Sequence, residues 1–105
     1  MNPFEIFIAY VSWGNGGKKR PVLVLQMTDN NISVYTITTQ YANKSEAVRA
    51  KFFKINDWKL SCLDKQSYID TGTRFKLKLS ALNNQKPIGK LTKSDKQKFI
   101  EFLKP

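Results

Sequence analysis

The chain has 105 residues, of which 41% are hydrophobic. This is enough apolar material for one compact core and too little for two, so we expect residues 1–105 to form a single domain. The 18 Lys and Arg residues against 8 Asp and Glu residues give a formal net charge of +10. Such a charge predicts an anionic partner, most commonly nucleic acid, although an acidic protein, a membrane surface or a merely solvated basic surface would also account for it.

Residue types that the chain lacks argue against several kinds of chemistry. There is no histidine, and Cys62 is the only cysteine, which argues against a zinc site, an internal disulfide and a cysteine–histidine nucleophile. The carboxylates are scattered without a paired spacing, and no glycine-rich nucleotide-binding motif is present. We therefore expect no metal, no cofactor, and a structural role for Cys62 in a reducing cytosol.

Membrane and export signals are also missing from the sequence. No apolar run approaches the ~20 residues that a membrane-spanning helix needs, and no basic segment precedes a hydrophobic stretch at the N-terminus. We expect a soluble, cytoplasmic protein that has no secretion signal and does not insert into a membrane.

Two strands are predicted before residue 26. Residues 4–12 are rich in β-branched and aromatic types, and a turn cluster at residues 14–17 follows Trp13. We expect a strand and then a flexible loop that leads to Arg20. Pro21 stands where a strand can begin, and the unbroken apolar run of residues 22–25 predicts a strand covered on both faces.

A third strand is predicted over residues 32–39, where β-branched and aromatic residues follow the polar turn of residues 28–31. It would pair with the second strand as a hairpin. Residues 41–50 are predicted to be weakly helical or irregular, and residues 52–55 to form a short strand.

Apolar and basic residues alternate from Arg74 to Leu79. Phe75, Leu77 and Leu79 are expected to face the core, since successive side chains of a strand point to opposite faces. Arg74 and Lys76 would then belong to a basic face, which either solvates the outside of the sheet or contacts the anionic partner.

The C-terminal residues 91–105 predict a helix. Thr92 stands three residues before Asp95, as in a capping box, and Phe99, Ile100 and Leu103 form an apolar stripe. The predicted fold class is therefore mainly β with a C-terminal helix, as a small, strongly curved antiparallel sheet or partly open barrel.

Three segments of the sequence, in this order, resemble the MazF/PemK toxin family. The first is Gly17–Leu25, a glycine-containing loop followed by Arg-Pro and an apolar strand, and an aromatic residue, Trp13, precedes it. The second is the Ile37–Gln40 segment, ITTQ, and the third is the stretch Pro87–Leu91 before the capped helix. The resemblance covers nearly the whole chain apart from residues 41–66.

The resemblance implies an SH3-like barrel of the CcdB/MazF toxin fold, a homodimer, and an endoribonuclease that cuts single-stranded RNA without a metal. It implies a toxin of a type II toxin–antitoxin system, neutralised by an acidic cognate antitoxin, with 2′,3′-cyclic phosphate and 5′-hydroxyl products. Arg20 takes the position of the family's catalytic arginine and Thr38 that of its catalytic threonine. Thr39 is the alternative, because a one-residue slip would turn it to the other face.

These residues suit phosphate chemistry. Attack by the RNA 2′-hydroxyl adds negative charge to the phosphate oxygens, which the guanidinium of Arg20 can hold, and the Thr38 hydroxyl can donate to one of them. No general base is assigned. Further candidate RNA contacts are Trp13, Lys18, Lys19, Thr39, Gln40, Arg74 and Lys76.

The chain also departs from the family pattern. Many relatives carry a glutamate in the first loop, which residues 14–17 lack, and an acidic position near the fifth strand is replaced around Thr71-Gly72-Thr73. Two other functions stay open: a basic barrel that binds nucleic acid without cutting it, and a CcdB-like topoisomerase poison. The RNA sequence that is cut does not follow from these residues.

Overall fold

The strands form one antiparallel sheet in the computed structural model, which describes residues 1–82 and 85–105. The elements in chain order are β1 (Glu5–Trp13), β2 (Gly16–Met27), β3 (Asn31–Thr38), α1 (Glu46–Arg49), β4 (Phe52–Lys54), β5 (Tyr68–Lys78), a 3-10 helix (Leu79–Leu82), β6 (Gly89–Lys90) and α2 (Lys93–Leu103). The strand order is β4-β5-β3-β2-β1-β6. The sheet curls into a half-barrel, which confirms the predicted mainly β, antiparallel small barrel with a C-terminal helix.

The first hairpin is tighter than the sequence analysis predicts. Trp13 pairs with Gly16, so the turn is Gly14-Asn15, and Gly14 has a φ of 45°. The prediction of a flexible loop to Arg20 is wrong, because β2 begins at Gly16. Gly17 belongs to the strand, where a Cβ atom would overlap the Tyr10 ring. The glycine thus lets an aromatic residue of β1 lie across the backbone of β2.

The sheet buries apolar side chains on both faces, as the apolar run of residues 22–25 predicts. On one face, Leu23 belongs to a buried cluster with Phe99 of α2, and we call this the helix face. On the other, Val22 and Val24 belong to a cluster with Leu82 of the 3-10 helix, and we call this the opposite face. Successive residues of β2 therefore alternate between two cores.

Strand β5 begins at Tyr68, earlier than predicted, and its register shifts between Val34 and Thr36 of β3. Beyond the shift the predicted alternation is confirmed, since Phe75 pairs with Val34 and packs in the opposite-face cluster. Lys76 pairs with Ser33 and so belongs to the helix face. The two-residue strand β6 was not predicted, because so short a segment carries no periodic pattern.

The predicted capping box of α2 is half formed, because Thr92 caps the helix but the Asp95 carboxylate binds residues outside it. The Thr92 hydroxyl accepts a hydrogen bond from the Asp95 amide at 3.2 Å. The Asp95 side chain is 0% exposed and accepts hydrogen bonds from the backbone amides of Asn56 (3.2 Å) and Asp57 (2.7 Å). The helix is thus tied to the segment after β4.

The predicted apolar stripe of α2 is only partly buried. Phe99 is 0% exposed and packs against Phe53, with ring centres 5.1 Å apart. Ile100 and Leu103 remain 40% and 42% exposed, and the buried residues of the helix are Asp95 and Phe99. Among the described residues, no helix is long and apolar enough to cross a membrane.

Candidate functional site

The ladder between β2 and β3 stops at Pro21. The last pair between the two strands is Val22 with Thr36, although both strands continue beyond it. On the other side of β2, pairing with β1 continues through Pro21 to Gly16. The gap therefore opens on one side of β2 only.

The direction of the backbone groups explains the gap. The Ile6 carbonyl accepts a hydrogen bond from the Ile88 amide, on the side of β1 that faces away from β2. Since backbone groups alternate along a strand, Ile8 also faces away from β2, and Pro21 opposite it presents its backbone to β3. Proline has no amide hydrogen to donate there, so one hydrogen bond of the ladder is lost at this position.

A cavity of about 210 Å³ occupies this gap, and we call it the β2–β3 cavity. Its lining residues are Lys18, Lys19, Arg20, Pro21, Ile37, Thr38, Thr39, Gln40 and Ser67. Most of the residues that the sequence analysis selected therefore lie together, although they come from two separate segments of the chain.

Arg20 and Thr38 share a face of the sheet. Val22 pairs with Thr36, and two further residues along each strand place Arg20 opposite Thr38. Thr39 follows the strand and also lines a second cavity with Ile8 of the helix face. The register thus directs Thr38, rather than Thr39, to the same side as Arg20.

The hydroxyl of Thr38 is held by a local hydrogen bond. Its oxygen accepts from the Gln40 backbone amide at 3.0 Å. A hydroxyl has one hydrogen to donate and two acceptor lone pairs, so this bond leaves the hydrogen available. Thr38 can therefore donate to an anion beside Arg20.

The positive charge of Arg20 is not neutralised by a carboxylate. The guanidinium carbon lies 5.4 Å from the centre of the Trp13 ring, and Nε is buried without a hydrogen-bond partner. Across residues 1–82 and 85–105 the one salt bridge is Lys104–Glu101 on the surface of α2. Together with Lys18 and Lys19, the half-buried Arg20 makes the β2–β3 cavity a suitable site for a phosphate.

Trp13 lies at the edge of the site and is 48% exposed. One side of its indole faces Arg20. The exposed remainder leaves room for a base to stack, as the sequence analysis proposed.

The structure does not bring Arg74 and Lys76 to this site. Arg74 lies over the Tyr35 ring at 5.8 Å, and Tyr35 packs against Phe99 of α2. Lys76 is on the same helix face. The alternation of β5 thus separates both residues from Arg20, which belongs to the opposite face.

Sequence reasoning missed an aromatic group next to Thr38. Tyr68 of β5 pairs with Thr38, and Tyr41 stacks on Tyr68 with ring centres 4.3 Å apart. Arg49 lies over the Tyr41 ring at 5.7 Å. No local pattern could have revealed this group, because its residues meet only through the pairing of β3 with β5.

Cys62, for which a structural role is expected, lies at the surface. It is exposed, and its φ of 65° belongs to a turn after Trp58. In the described parts of the chain, no group of three or more Cys, Asp and Glu residues is arranged to hold a metal ion.

A scan against models of protein families found no match to this chain, and a search of curated proteins found none either. The geometry of the β2–β3 cavity is therefore the main indication of function.

Proposed function

We propose that this protein is an endoribonuclease that cuts single-stranded RNA without a metal ion. The observation that carries the proposal is the placement of Arg20 opposite Thr38 in a gap of the sheet, with no carboxylate near enough to neutralise the guanidinium. A site of this kind binds a phosphate diester and stabilises the charge that develops when it reacts.

The residues of the cavity have different roles in binding the phosphates. The guanidinium fork of Arg20 binds the non-bridging oxygens as their negative charge increases. The Thr38 hydroxyl, oriented by Gln40, donates to one of the same oxygens. Lys18 and Lys19 hold the neighbouring phosphates by charge.

The reaction is an internal transfer within the RNA. The 2′-oxygen attacks phosphorus, the bond from phosphorus to the 5′-oxygen breaks, and a 2′,3′-cyclic phosphate and a 5′-hydroxyl result. The 2′-hydroxyl loses a proton and the 5′-oxygen gains one. None of the residues around the β2–β3 cavity carries a carboxylate or an imidazole, so we assign both proton transfers to water.

The experiment that tests this proposal compares two threonines. Thr38→Val removes the hydroxyl at constant shape and should lower kcat/KM for a single-stranded RNA by about 100-fold, as the loss of one preorganised donor does elsewhere. Arg20→Ala should lower it at least as much. Thr73→Val is the matched control, because Thr73 is an exposed threonine of β5 outside the lining of the β2–β3 cavity, and we expect it to cut at nearly the wild-type rate.

Other results would contradict the proposal in different ways. A wild-type protein that binds RNA but never cuts it would be a nucleic-acid-binding barrel. Loss of cleavage in Thr39→Val, with activity kept in Thr38→Val, would show that Thr39 and not Thr38 supplies the hydroxyl. Product ends are identified by mass spectrometry, and a 3′-hydroxyl product would exclude attack by the 2′-oxygen.

We further propose that the protein acts as a toxin, and that an acidic antitoxin covers the cavity across Lys18, Lys19 and Arg20. The net charge of +10 supports this, because a polyanionic segment can take the place of the RNA backbone. The test is to express the reading frame upstream of the gene and measure RNA cleavage by the complex. Charge reversal at Lys18 and Lys19 should slow association, and a complex that still cuts RNA at the free rate would contradict the proposal.

A further inference from the structure

A second cavity, of about 310 Å³, adjoins the β2–β3 cavity. The two have Pro21, Thr39 and Ser67 in common. The remaining lining residues of the second cavity are Ile8, Cys62, Leu63, Asp64, Lys65 and Ile88. We call it the Asp64 cavity. A nucleotide whose phosphate lies beside Arg20 would therefore have this space within reach of its base.

The walls of the Asp64 cavity suit a flat apolar ring. Ile8 and Pro21 pair across β1 and β2, and Leu63 and Ile88 complete an aliphatic lining. Aliphatic side chains on both sides can enclose the faces of a nucleobase and remove them from water. Such a cavity offers little to a second phosphate.

The polar groups of the Asp64 cavity can distinguish nucleobases by the hydrogen-bonding groups on their edges. Asp64 has no salt bridge within residues 1–82 and 85–105, although the chain carries a net charge of +10. Lys65 lies next to it in the same lining. The Asp64 carboxylate would repel a phosphate. Together, the Asp64 acceptor and the Lys65 donor match a base that presents donors and an acceptor side by side.

We propose that the Asp64 cavity binds the base of the nucleotide next to the scissile phosphate and that it prefers guanine. This inference rests on the proposed ribonuclease function. Guanine carries N1–H and the N2 amino group as adjacent donors, which the two oxygens of Asp64 can accept. Its O6 lies next to them and can accept from Lys65. Adenine, cytosine and uracil each present a single donor position on this edge, so they satisfy only part of the site.

The test uses RNA that cannot be cut, so that binding is measured without catalysis. The probes are 2′-O-methyl heptauridylates with one central guanosine, adenosine or cytidine, because a methylated 2′-oxygen cannot attack phosphorus. A uniform uridine background lets the strand slide until the single different base occupies the cavity. Dissociation constants are measured by fluorescence anisotropy at one fixed salt concentration.

We expect the guanosine probe to bind the wild-type protein about tenfold more tightly than the adenosine probe, the discrimination that a good bidentate contact provides. Asp64→Asn should remove this preference and leave binding of plain heptauridylate within about twofold. Asp29→Asn is the matched control, because Asp29 is an exposed carboxylate in another cavity, at the turn between β2 and β3. It should keep the guanine preference.

Cys62 reports on the position of the base. It is exposed, lines the same cavity and is the chain's only cysteine, so its reaction with a maleimide gives an unambiguous signal. The guanosine probe should slow this reaction more than plain heptauridylate does. Equal protection by both, an absence of guanine preference in the wild-type protein, or an Asp64→Asn variant that keeps the preference would each overturn the inference.

The same measurements distinguish failure of the ribonuclease proposal from failure of the guanine subsite. If natural single-stranded RNA stays intact while the guanosine probe binds preferentially and protects Cys62, the cavity recognises guanine in a protein that does not cut. If RNA is cut and the three probes bind equally, the ribonuclease proposal stands and the guanine subsite is wrong.

Discussion

Arg20 lies against Trp13, with the guanidinium carbon 5.4 Å from the centre of the indole ring. The contact holds the arginine at the mouth of the β2–β3 cavity, and a contact of this kind contributes about 0.5–1 kcal/mol at an exposed site. Trp13→Ala should therefore lower kcat/KM for RNA cleavage by about two- to fivefold, and Trp13→Phe by less. Phe102→Ala is the control, since Phe102 is a comparably exposed aromatic residue of α2 outside the lining of the β2–β3 cavity. Equal effects of both alanine variants would show that the stacking on Arg20 is not the cause.

Cleavage is expected to persist in excess EDTA. The proposed chemistry depends on Arg20 and Thr38, and the lining of the β2–β3 cavity contains no carboxylate to hold a magnesium ion. The measurement is the initial rate of cleavage of a single-stranded RNA before and after chelation. Activity that disappears with EDTA and returns only with added magnesium would refute the mechanism.

Pro21→Ala should close the gap between β2 and β3. The variant supplies an amide hydrogen that faces β3, where Ile37 stands opposite, so one more hydrogen bond of the ladder can form. The added hydrogen bond should stabilise the fold and the lost rigidity of proline should destabilise it, each by about 1 kcal/mol or less. The free energy of unfolding should therefore change little.

Cleavage by this variant should decrease because the cavity narrows. Hydrogen exchange followed by NMR checks the structural cause, and the new amide at position 21 should be protected. Rapid exchange at that amide would show that something other than proline keeps the strands apart.

The protein is expected to form a twofold dimer. Strand β6 pairs only with Glu5 and Ile6, so the outer edge of β1 beyond Ile6 has no neighbouring strand within residues 1–82 and 85–105. Such an edge is a template for pairing with a second copy. Light scattering at micromolar concentration should give twice the mass of the 12.1 kDa chain.

A proline substitution tests whether this edge forms the dimer. Ser12 has the same backbone direction as Ile6, away from β2, so Ser12→Pro removes a donor from the outer edge and leaves the β1–β2 ladder intact. The variant should be monomeric with unchanged circular dichroism. A dimer that survives this change uses another surface.

Asp95→Ala should destabilise the fold without altering the cavity directly. The buried carboxylate accepts hydrogen bonds from the amides of Asn56 and Asp57, and its loss leaves both donors without these partners. We expect the free energy of unfolding in urea to fall by about 3 kcal/mol. Asp29→Ala, which removes an exposed carboxylate, should change it by less than about 0.5 kcal/mol. Similar losses in both variants would show that net charge, not the hydrogen bonds of Asp95, sets the stability.

Several elements could be predicted because their signals are local. The helix cap by Thr92 is confirmed, since it needs only the Thr92 hydroxyl and the Asp95 amide three residues later, whereas the return bond from the Asp95 carboxylate is replaced by bonds to Asn56 and Asp57. The alternation of Phe75 with its basic neighbours is confirmed for the same reason. The predicted length of the first loop was wrong, because Gly16 and Gly17 belong to β2, where the side chains of Trp13 and Tyr10 pack against them.

The selection of Arg20 and Thr38 as candidates needed only the sequence, whereas their placement opposite each other needed the register of β2 and β3. The separate register of β3 and β5 placed Arg74 and Lys76 on the helix face and Tyr68 beside Thr38. The Asp64 cavity likewise combines residues from separate segments of the chain. The sequence by itself thus determined the strands, the capped helix and the excess of positive charge, because each is set by neighbouring residues. Only the tertiary structure decided which charges and hydroxyls meet, because residues far apart in the chain come together only when the sheet closes over its two cores.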